Sequence, residues 1–188
     1  MSDAAETLCE HARNGDLAAA SELVALFYQR IFAYLRRLSR NDDDAADLTQ
    51  KTFARTWQSL SSYQRRSTFS TWLHGIAYHV YLDWRRKRNL GDAQTDEWWE
   101  TQAANSPTPY ENTAERELAL QLYRWVDELD DEKKQAVHLH YYQNLPLSET
   151  AEVLGVAVST VKYRLREALD FLRARTAEAE SFPERKAL

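Results

Sequence analysis

The chain has 188 residues, of which 44% are hydrophobic and 28% are charged, and its formal net charge is −5. A single cysteine excludes an internal disulfide, and with it the small secreted domains that depend on disulfides. Scarce glycine and proline favour an all-α protein, and the length allows one domain or two small ones.

The N-terminal segment MSDAAETLCEHARNGD is acidic and polar, unlike a signal peptide. No apolar stretch approaches the roughly 20 residues that span a bilayer, so we expect a cytoplasmic protein without membrane insertion. Cys9 and His11 alone make a poor metal site, and we expect an inert thiol. The sequence has no Gly-rich phosphate loop, nucleophile–base pair or metal cluster, so we expect no cofactor, no metal and no enzymatic activity.

The first half of the chain carries three amphipathic segments. Apolar side chains at spacings of three and four predict a helix over residues 17–39. Aspartates in RNDDDAAD (40–47) can cap a second helix, which we expect to run to about Leu60. After a polar loop, helical spacing resumes at Phe69 and ends in the basic run 85–88, which suits the negative end of a helix dipole.

The middle of the chain changes character. Residues 89–117 contain seven acids and one base, a local charge of −6, and glycine and prolines interrupt regular structure. We therefore predict a flexible acidic linker at 89–110, between an N-terminal helical domain (1–88) and a C-terminal one (111–178).

The C-terminal domain begins with two predicted helices. The first carries apolar residues from Leu118 to Leu129, and Asp130 or Asp131 caps the second. His138 and His140 in HLHYY look like metal ligands. They lie two residues apart on a helix and point to different faces, so we interpret them as structural.

The segment LSETAEVLGVAVSTVKYRLREAL (147–169) places one glycine between two helical patterns. Gly155 suits a left-handed turn, Ala151 allows close helix approach, and Ser159 or Thr160 can cap the next helix. This pattern predicts a helix-turn-helix, whose second helix can lie in the DNA major groove.

The exposed face of that second helix follows from 100° per residue. Lysine and arginine there can donate to guanine or to phosphate, and Glu167 can accept from cytosine or hold an arginine. An ordinary solvated helix is the alternative. The candidate DNA-binding residues are Ser159, Thr160, Lys162, Tyr163, Arg164 and Arg166.

The segments DAADLTQKTFARTWQSL (44–60) and STFSTWLHGIAYHVYLDWRRKR (67–88), followed by an acidic stretch and a helix-turn-helix, resemble bacterial RNA polymerase sigma factors. The extracytoplasmic-function group is the most similar, over roughly residues 10–175. The resemblance implies a dissociable polymerase subunit in which Asp47, Leu48, Gln50 and Phe53 bind the β′ clamp coiled coil of core RNA polymerase.

The resemblance also implies contacts with promoter DNA and with further proteins. Residues 63–88 would recognise and open the −10 element, the C-terminal domain would read the −35 element, and the linker would run through the polymerase cleft. Contacts with the β subunit and restraint by an anti-sigma factor are expected as well.

The residue types in 63–88 are compatible with strand opening. Unstacking costs about 1.4 kcal/mol per step, and stacking a base on an aromatic side chain recovers about 1–3 kcal/mol. Phe69, Trp72 and Trp84 share the apolar stripe, so we expect them in the core. The candidate −10 residues are Tyr63, Arg65, Arg66, Tyr78, His79, Tyr81, Arg85 and Arg86.

Two departures from the family pattern bear on DNA contacts. His79 stands where asparagine is usual, which puts its strand contact in doubt. Glu167 and Leu169 replace frequent arginines, and fewer cations would weaken the phosphate contacts. The other function classes that the residues leave open are a signal-responsive repressor or activator, which binds its operator alone as a dimer, and a structural helical adaptor without DNA dependence.

Overall fold

The structure, a computed structural model, describes residues 2–87 and 113–181, and within these ranges all regular elements are helices. Besides α-helices, these ranges contain a 3₁₀ turn at Leu60–Ser62 and a π-helical turn at His138–Tyr142. The all-α fold class is confirmed. The α-helices are α1 (Ser2–Arg13), α2 (Leu17–Ser39), α3 (Asp42–Ser59), α4 (Phe69–Lys87), α5 (Thr113–Glu128), α6 (Asp131–Val137), α7 (Leu147–Leu154) and α8 (Val158–Ser181).

The helix starts are set by side-chain caps. Asp16 accepts hydrogen bonds from the first-turn N–H groups of α2. Asp130, one of the two predicted caps, accepts from Lys133 N in α6. At α3 the cap is Asn41, which accepts from Asp44 N at 2.9 Å, so the prediction of an aspartate cap is wrong. The aspartates fill the first turn instead, where they favour the positive end of the dipole.

Helix α2 is the centre of the first half. Leu23, Ile31 and Leu35 on its inner face are fully buried, together with Leu48 of α3 and Leu73 of α4. Burying a leucine or isoleucine side chain contributes about 1.5–3 kcal/mol, so this stripe accounts for much of the stability of α1–α4. None of the described helices is both long and apolar enough to cross a membrane.

The N-terminal helix α1 was not among the sequence predictions. It buries Ala5 and Cys9 against the α2–α4 core. Burial raises the pKa of the Cys9 thiol to about 11, with the nearby Glu6 carboxylate adding to the shift. A buried, protonated thiol beside an exposed His11 fits the expectation of an inert residue.

The second half is built around α8. Val161, Leu165 and Ala168 form its buried stripe and pack against Ala136 and Val137 of α6. Farther along the helix, Leu169 and Leu172 are only partly buried.

The two halves pack against each other through α4 and α7. Leu139, Leu145 and Val153 belong to the same apolar cluster as the α2–α4 residues. This direct packing was not anticipated from the sequence. The acidic linker predicted at 89–110 lies outside the described residues.

Candidate nucleic-acid interface

The turn between α7 and α8 has the geometry that the sequence predicts. Gly155 has φ 66° and ψ 34°, the left-handed region. Its N–H donates to Glu152 O at 3.2 Å, and Val156 N–H donates to Ala151 O at 3.1 Å, so both ends of the turn satisfy carbonyls of α7. Ala151 is buried at the crossing. This confirms a helix-turn-helix geometry.

The start of α8 differs from the prediction. The helix begins at Val158, and the N–H groups of Thr160 and Val161 donate to Ala157 O. Ser159 and Thr160 therefore lie inside the first turn and not at the cap, so that prediction is wrong. The difference leaves the Ser159 side chain exposed on the outer face.

The outer face of α8 presents a small cationic and aromatic surface. Lys162 and Arg166 are exposed, and Tyr163 is 53% exposed between them. The Arg166 guanidinium lies 5.8 Å from the Tyr163 ring centroid. Because both cations carry their charge into solvent, they are placed to meet phosphates or base edges.

Arg164 occupies a different environment. Its side chain is only 14% exposed and forms an ion pair with Glu132 of α6 at 2.6 Å. Thr160 is half-buried and Glu167 is partly covered. Arg164 therefore braces α8 against α6 and lies at the flank of the surface formed by Ser159, Lys162, Tyr163 and Arg166.

A second cationic surface lies on α4. His79, Arg85 and Arg86 line one open cavity of about 540 Å³ together with Leu82. The sequence predicted the three polar residues but not Leu82, whose position one turn after Tyr78 is the signal that could have found it.

The arginines of this surface are held by acids. Asp83 lies between Arg55 of α3, whose Nη1 is 2.9 Å away, and Arg86. Hydrogen bonds from Arg55 and then Arg86 lower the pKa of the Asp83 carboxyl. Arg85 pairs with Asp131 of α6 across the two halves. These acids orient the cations and reduce the net charge of the surface.

Two predicted aromatic contacts are buried in this conformation. Tyr63 and Tyr81 are each 4% exposed, so the expectation that they lie on the surface is wrong here. Burial raises the pKa of Tyr81 to about 12. Tyr78 is half-buried and His79 exposed, which leaves these two as the aromatic groups nearest to solvent on α4. Phe69 is fully buried, while Trp72 and Trp84 are partly buried against the core, as expected.

Tyr63 is held by the unpredicted helix α1. Its hydroxyl lies 2.9 Å from both carboxylate oxygens of Glu6, and burial followed by this hydrogen bond raises its pKa. Glu6 also accepts from Phe69 N at 2.8 Å, at the start of α4. Arg65, in the left-handed region at φ 57°, donates to Glu10 at 3.2 Å, and both Arg65 and Arg66 are exposed. The loop before α4 is thus fixed by α1.

The candidate polymerase-binding residues of α3 divide into two faces. Asp47 and Gln50 are exposed, and Asp47 pairs with Lys51. Leu48 is fully buried and Phe53 is 7% exposed, so both support the helix from inside and do not contact a partner directly in this conformation. The helical period explains the division, because residue 48 shares a face with the buried residue 52.

An aromatic stack lies beside that face. Tyr28 of α2 stacks between Phe32 and Phe53, with ring centroids 6.2 Å apart in each pair. Tyr28 and Phe32 are both partly exposed, so the surface around α3 carries apolar area that the sequence motif did not indicate.

The histidines of HLHYY are structural, as interpreted. His138 is buried, and burial followed by the nearby Arg37 and Lys134 lowers its pKa. His140 Nδ1 donates to the carbonyl of Leu145 at 2.8 Å. In the parts of the chain that the structure describes, no three His, Cys, Asp or Glu side chains are grouped as a metal site.

Family models match both halves of the chain. The model described as "Sigma-70 region 2" matches residues 23–90, which include most of α2 and all of α3 and α4. The model described as "Sigma-70, region 4" matches residues 125–174, which include the helix-turn-helix.

Curated relatives match over most of this chain. SigE of Mycolicibacterium smegmatis, an extracytoplasmic-function (ECF) RNA polymerase sigma factor, is 34% identical over 171 residues, covering 89% of this chain and 66% of its own length. YlaC of Bacillus subtilis, an RNA polymerase sigma factor, is 30% identical over 78% of this chain and 86% of its own. SigW of the same species, an ECF sigma factor, is 25% identical over 86% and 90%.

Solved structures share the fold. CnrH in complex with the cytosolic domain of CnrY has a TM-score of 0.69 at 23% identity and covers 93% of this chain and 98% of its own. The sigma factor RpoE of Bartonella quintana, in complex with the anti-sigma factor NepR, has a TM-score of 0.64 at 20% identity and covers 82% and 94%.

Proposed function

The chain belongs to the sigma-70 family of transcription initiation factors, in its extracytoplasmic-function group, and from that premise we propose that it binds core RNA polymerase, recognises −10 and −35 promoter elements and promotes DNA melting. The observation that carries the proposal is the presence of two exposed cationic surfaces in one chain, one on α8 and one on α4. Such a factor acts on the polymerase of its own cell, so its proposed location is the cytoplasm.

We assign the −35 element to the C-terminal unit, residues 111–178. Ser159, Lys162, Tyr163 and Arg166 form the contact surface on α8, since among the six candidates these four are exposed, whereas Thr160 and Arg164 are partly buried. An arginine or lysine that reads guanine contributes about 1–3 kcal/mol of discrimination. Arg164 and Thr160 support this surface from its edge.

We assign the −10 element to the N-terminal unit, residues 1–88. Arg66, Arg85 and Arg86 supply charge for the phosphates, and Tyr78 and His79 supply ring faces for an unstacked strand. Tyr63 and Tyr81 shape this surface from beneath, and Arg65 fixes the loop before α4. Residues 89–110 connect the two units.

We assign core polymerase binding to α3. Asp47 and Gln50 provide the exposed polar contacts for the β′ clamp coiled coil, while Leu48 and Phe53 set the position of that face. The β subunit and an anti-sigma factor are further proposed partners. Two neighbours in fold are complexes of this kind, CnrH with CnrY and RpoE with NepR.

A gel shift with and without core polymerase tests the proposal. We expect the chain to bind promoter fragments tightly only with core enzyme. Lys162→Ala with Arg166→Ala weakens the shift, whereas Arg173→Ala, which removes an exposed cation near the other end of α8, leaves it unchanged. Tight binding to a palindromic site by the chain alone would contradict the proposal and favour a repressor.

A further inference from the structure

The loop before α4, residues 63–68, has buried ends and an exposed middle. Tyr63 at its start is 4% exposed, and Phe69, the first residue of α4, is 1% exposed. Gln64, Arg65 and Arg66 between them face solvent. We refer to residues 63–68 as the strand-binding loop, because the proposed function assigns Arg66 to the −10 strand.

One carboxylate of α1 contacts this loop at its start, in its middle and just after its end. Glu6 accepts from the Tyr63 hydroxyl at 2.9 Å and from Phe69 N at 2.8 Å. Arg65 Nε lies 3.6 Å from the same carboxylate, and Arg65 Nη2 donates to the backbone carbonyl of Glu6 at 3.1 Å. Three groups that are separated along the chain are therefore tied to a single side chain.

The contact at Phe69 acts on the beginning of α4. The first N–H groups of a helix have no partner within the helix. The Thr68 hydroxyl accepts from Thr71 N at 3.2 Å, and Glu6 accepts from Phe69 N. A carboxylate at this position is also favoured by the positive end of the helix dipole. Glu6 and Thr68 together fix the point at which the loop ends and the helix begins.

The backbone of Arg65 depends on support from outside the loop. Its φ of 57° lies in the left-handed region, where a residue other than glycine is strained. Such a conformation persists only where surrounding contacts hold it. The contacts that hold Arg65 come from α1, through Glu6 and through Glu10 at 3.2 Å. Helix α1 thus sets the path that carries Gln64 and Arg66 into solvent.

Glu6 is suited to hold the loop and not to touch DNA. Its side chain is 20% exposed and lies beneath the loop, and a carboxylate repels phosphates. A loop that is ordered before a strand arrives loses less conformational freedom on binding, which raises its affinity for that strand. The effect of Glu6 on DNA is therefore exerted through the residues that it orders.

We propose that Glu6 is a positioning residue for promoter opening, whose carboxylate holds the strand-binding loop in the conformation that captures the −10 strand. The inference rests on the proposed function, which assigns this loop to an unstacked strand. It gives a role in initiation to α1, which lies outside the residues that either family model matches.

The test is run-off transcription with core enzyme on two templates that share one mapped start site. The first template is fully duplex, and the second has a mismatched −10 region that is already open. Opening a duplex costs stacking energy that capture of the displaced strand must offset. We expect Glu6→Ala to lower the transcript yield from the duplex about tenfold, the effect of losing about one base-stacking contact, and from the open template by less than about twofold.

Three further variants refine the test. Glu6→Gln keeps an oxygen that can accept from Phe69 N but lacks the charge that attracts Arg65, so its loss on the duplex should be intermediate. Tyr63→Phe keeps the buried ring and removes the hydroxyl, and the same selective loss is expected even if Glu6→Ala folds poorly. The matched control is Glu10→Ala. Its pair with Arg65 has both side chains half exposed, and such surface pairs contribute little, so it should initiate like wild type on both templates.

The ratio of the two yields distinguishes positioning from general stability. An equal loss on both templates means that Glu6 only stabilises the fold and overturns the proposal. Wild-type yields from the duplex in both Glu6→Ala and Tyr63→Phe overturn it as well. A wild-type chain that directs no transcript from either template refutes the proposed function itself, a result that is distinct from a selective loss in the variants.

Discussion

His74 makes the stability of the packed chain depend on pH. Burial, the largest effect, lowers the pKa of His74 from its ordinary 6.5 to about 4, against a hydrogen bond to Ser70 O that raises it. That carbonyl can only accept, so Nδ1 carries the proton at 2.7 Å from Ser70 O. A second proton on the ring would place a charge in the interface between α4 and Gln143.

The sign and size of this pH effect on the free energy of unfolding follow from proton linkage. Between pH 6.5 and pH 4 the ring binds a proton in the unfolded state but not in the folded state. The free energy of unfolding therefore falls as the pH falls through this window and is fully retained above it. The fall of the His74 pKa from 6.5 to about 4 corresponds to about 3 kcal/mol of unfolding free energy at 1.36 kcal/mol per unit, of which about 2 kcal/mol is lost by pH 5.

Urea unfolding of wild type and His74→Gln at pH 7, 6 and 5 measures this effect. The variant loses about 1–3 kcal/mol of stability at pH 7, because the buried partners of the His74 ring, Ser70 O and the Gln143 side chain, lose their hydrogen bonds. Its further loss on acidification should be smaller than that of wild type by about 2 kcal/mol at pH 5. The pKa of His138 is also lowered, but His138 is present in both proteins, so its contribution cancels when the two stability curves are subtracted.

The exposed His79 on the same helix supplies the control. His79→Gln makes the same substitution at an exposed position and is measured alongside as the matched control. If His74→Gln and wild type lose stability in parallel, within about 0.5 kcal/mol, then the buried ring does not couple protonation to folding and the reasoning is wrong.

Three further variants, one single and two double, test other parts of the account. In Gly155→Ala the added methyl group meets no atom within 4 Å, but the alanine must adopt φ +66°. We therefore expect the free energy of unfolding to fall by about 1–2 kcal/mol, and an unchanged urea midpoint would contradict the assigned turn. Lys162→Ala with Arg166→Ala should lower the affinity of the holoenzyme for a −35 duplex. The slope of log affinity against log salt concentration, measured by fluorescence anisotropy, should fall by an amount equivalent to the loss of up to about two phosphate contacts. Asp47→Ala with Gln50→Ala should lower core affinity about tenfold without loss of folding, because both side chains are exposed; unchanged co-elution with core polymerase would argue against this face.

Local signals in the sequence predicted much of the fold. Apolar spacing located α2 and α4, since their buried residues recur at three and four positions over many turns. Gly155 located the turn, because a left-handed helix end strongly favours glycine. The same reasoning missed α1, whose short polar sequence contributes only a few buried residues and depends on contacts with α2.

The sites were harder to predict than the helices. Tyr63 and Tyr81 were expected on the surface, but both are buried in the apolar cluster around α2–α4, and the Tyr63 hydroxyl binds Glu6 of α1. No local pattern indicates which elements will pack over a given face. Leu48 belongs to the same motif as Asp47 and Gln50, yet its side chain is buried. A sequence motif does not show which of its side chains face solvent. The packing of α7 on α4 joins residues more than 60 positions apart and leaves no periodic signal.

Run-off transcription tests the central claim most directly. Core RNA polymerase is incubated with genomic fragments, with and without this chain, and the 5′ ends of the transcripts are mapped. The account predicts new start sites that appear only with the chain, share two upstream elements, and weaken with Lys162→Ala plus Arg166→Ala. If the reconstituted enzyme initiates only where core enzyme initiates alone, the claim that this chain directs promoter-specific initiation is contradicted.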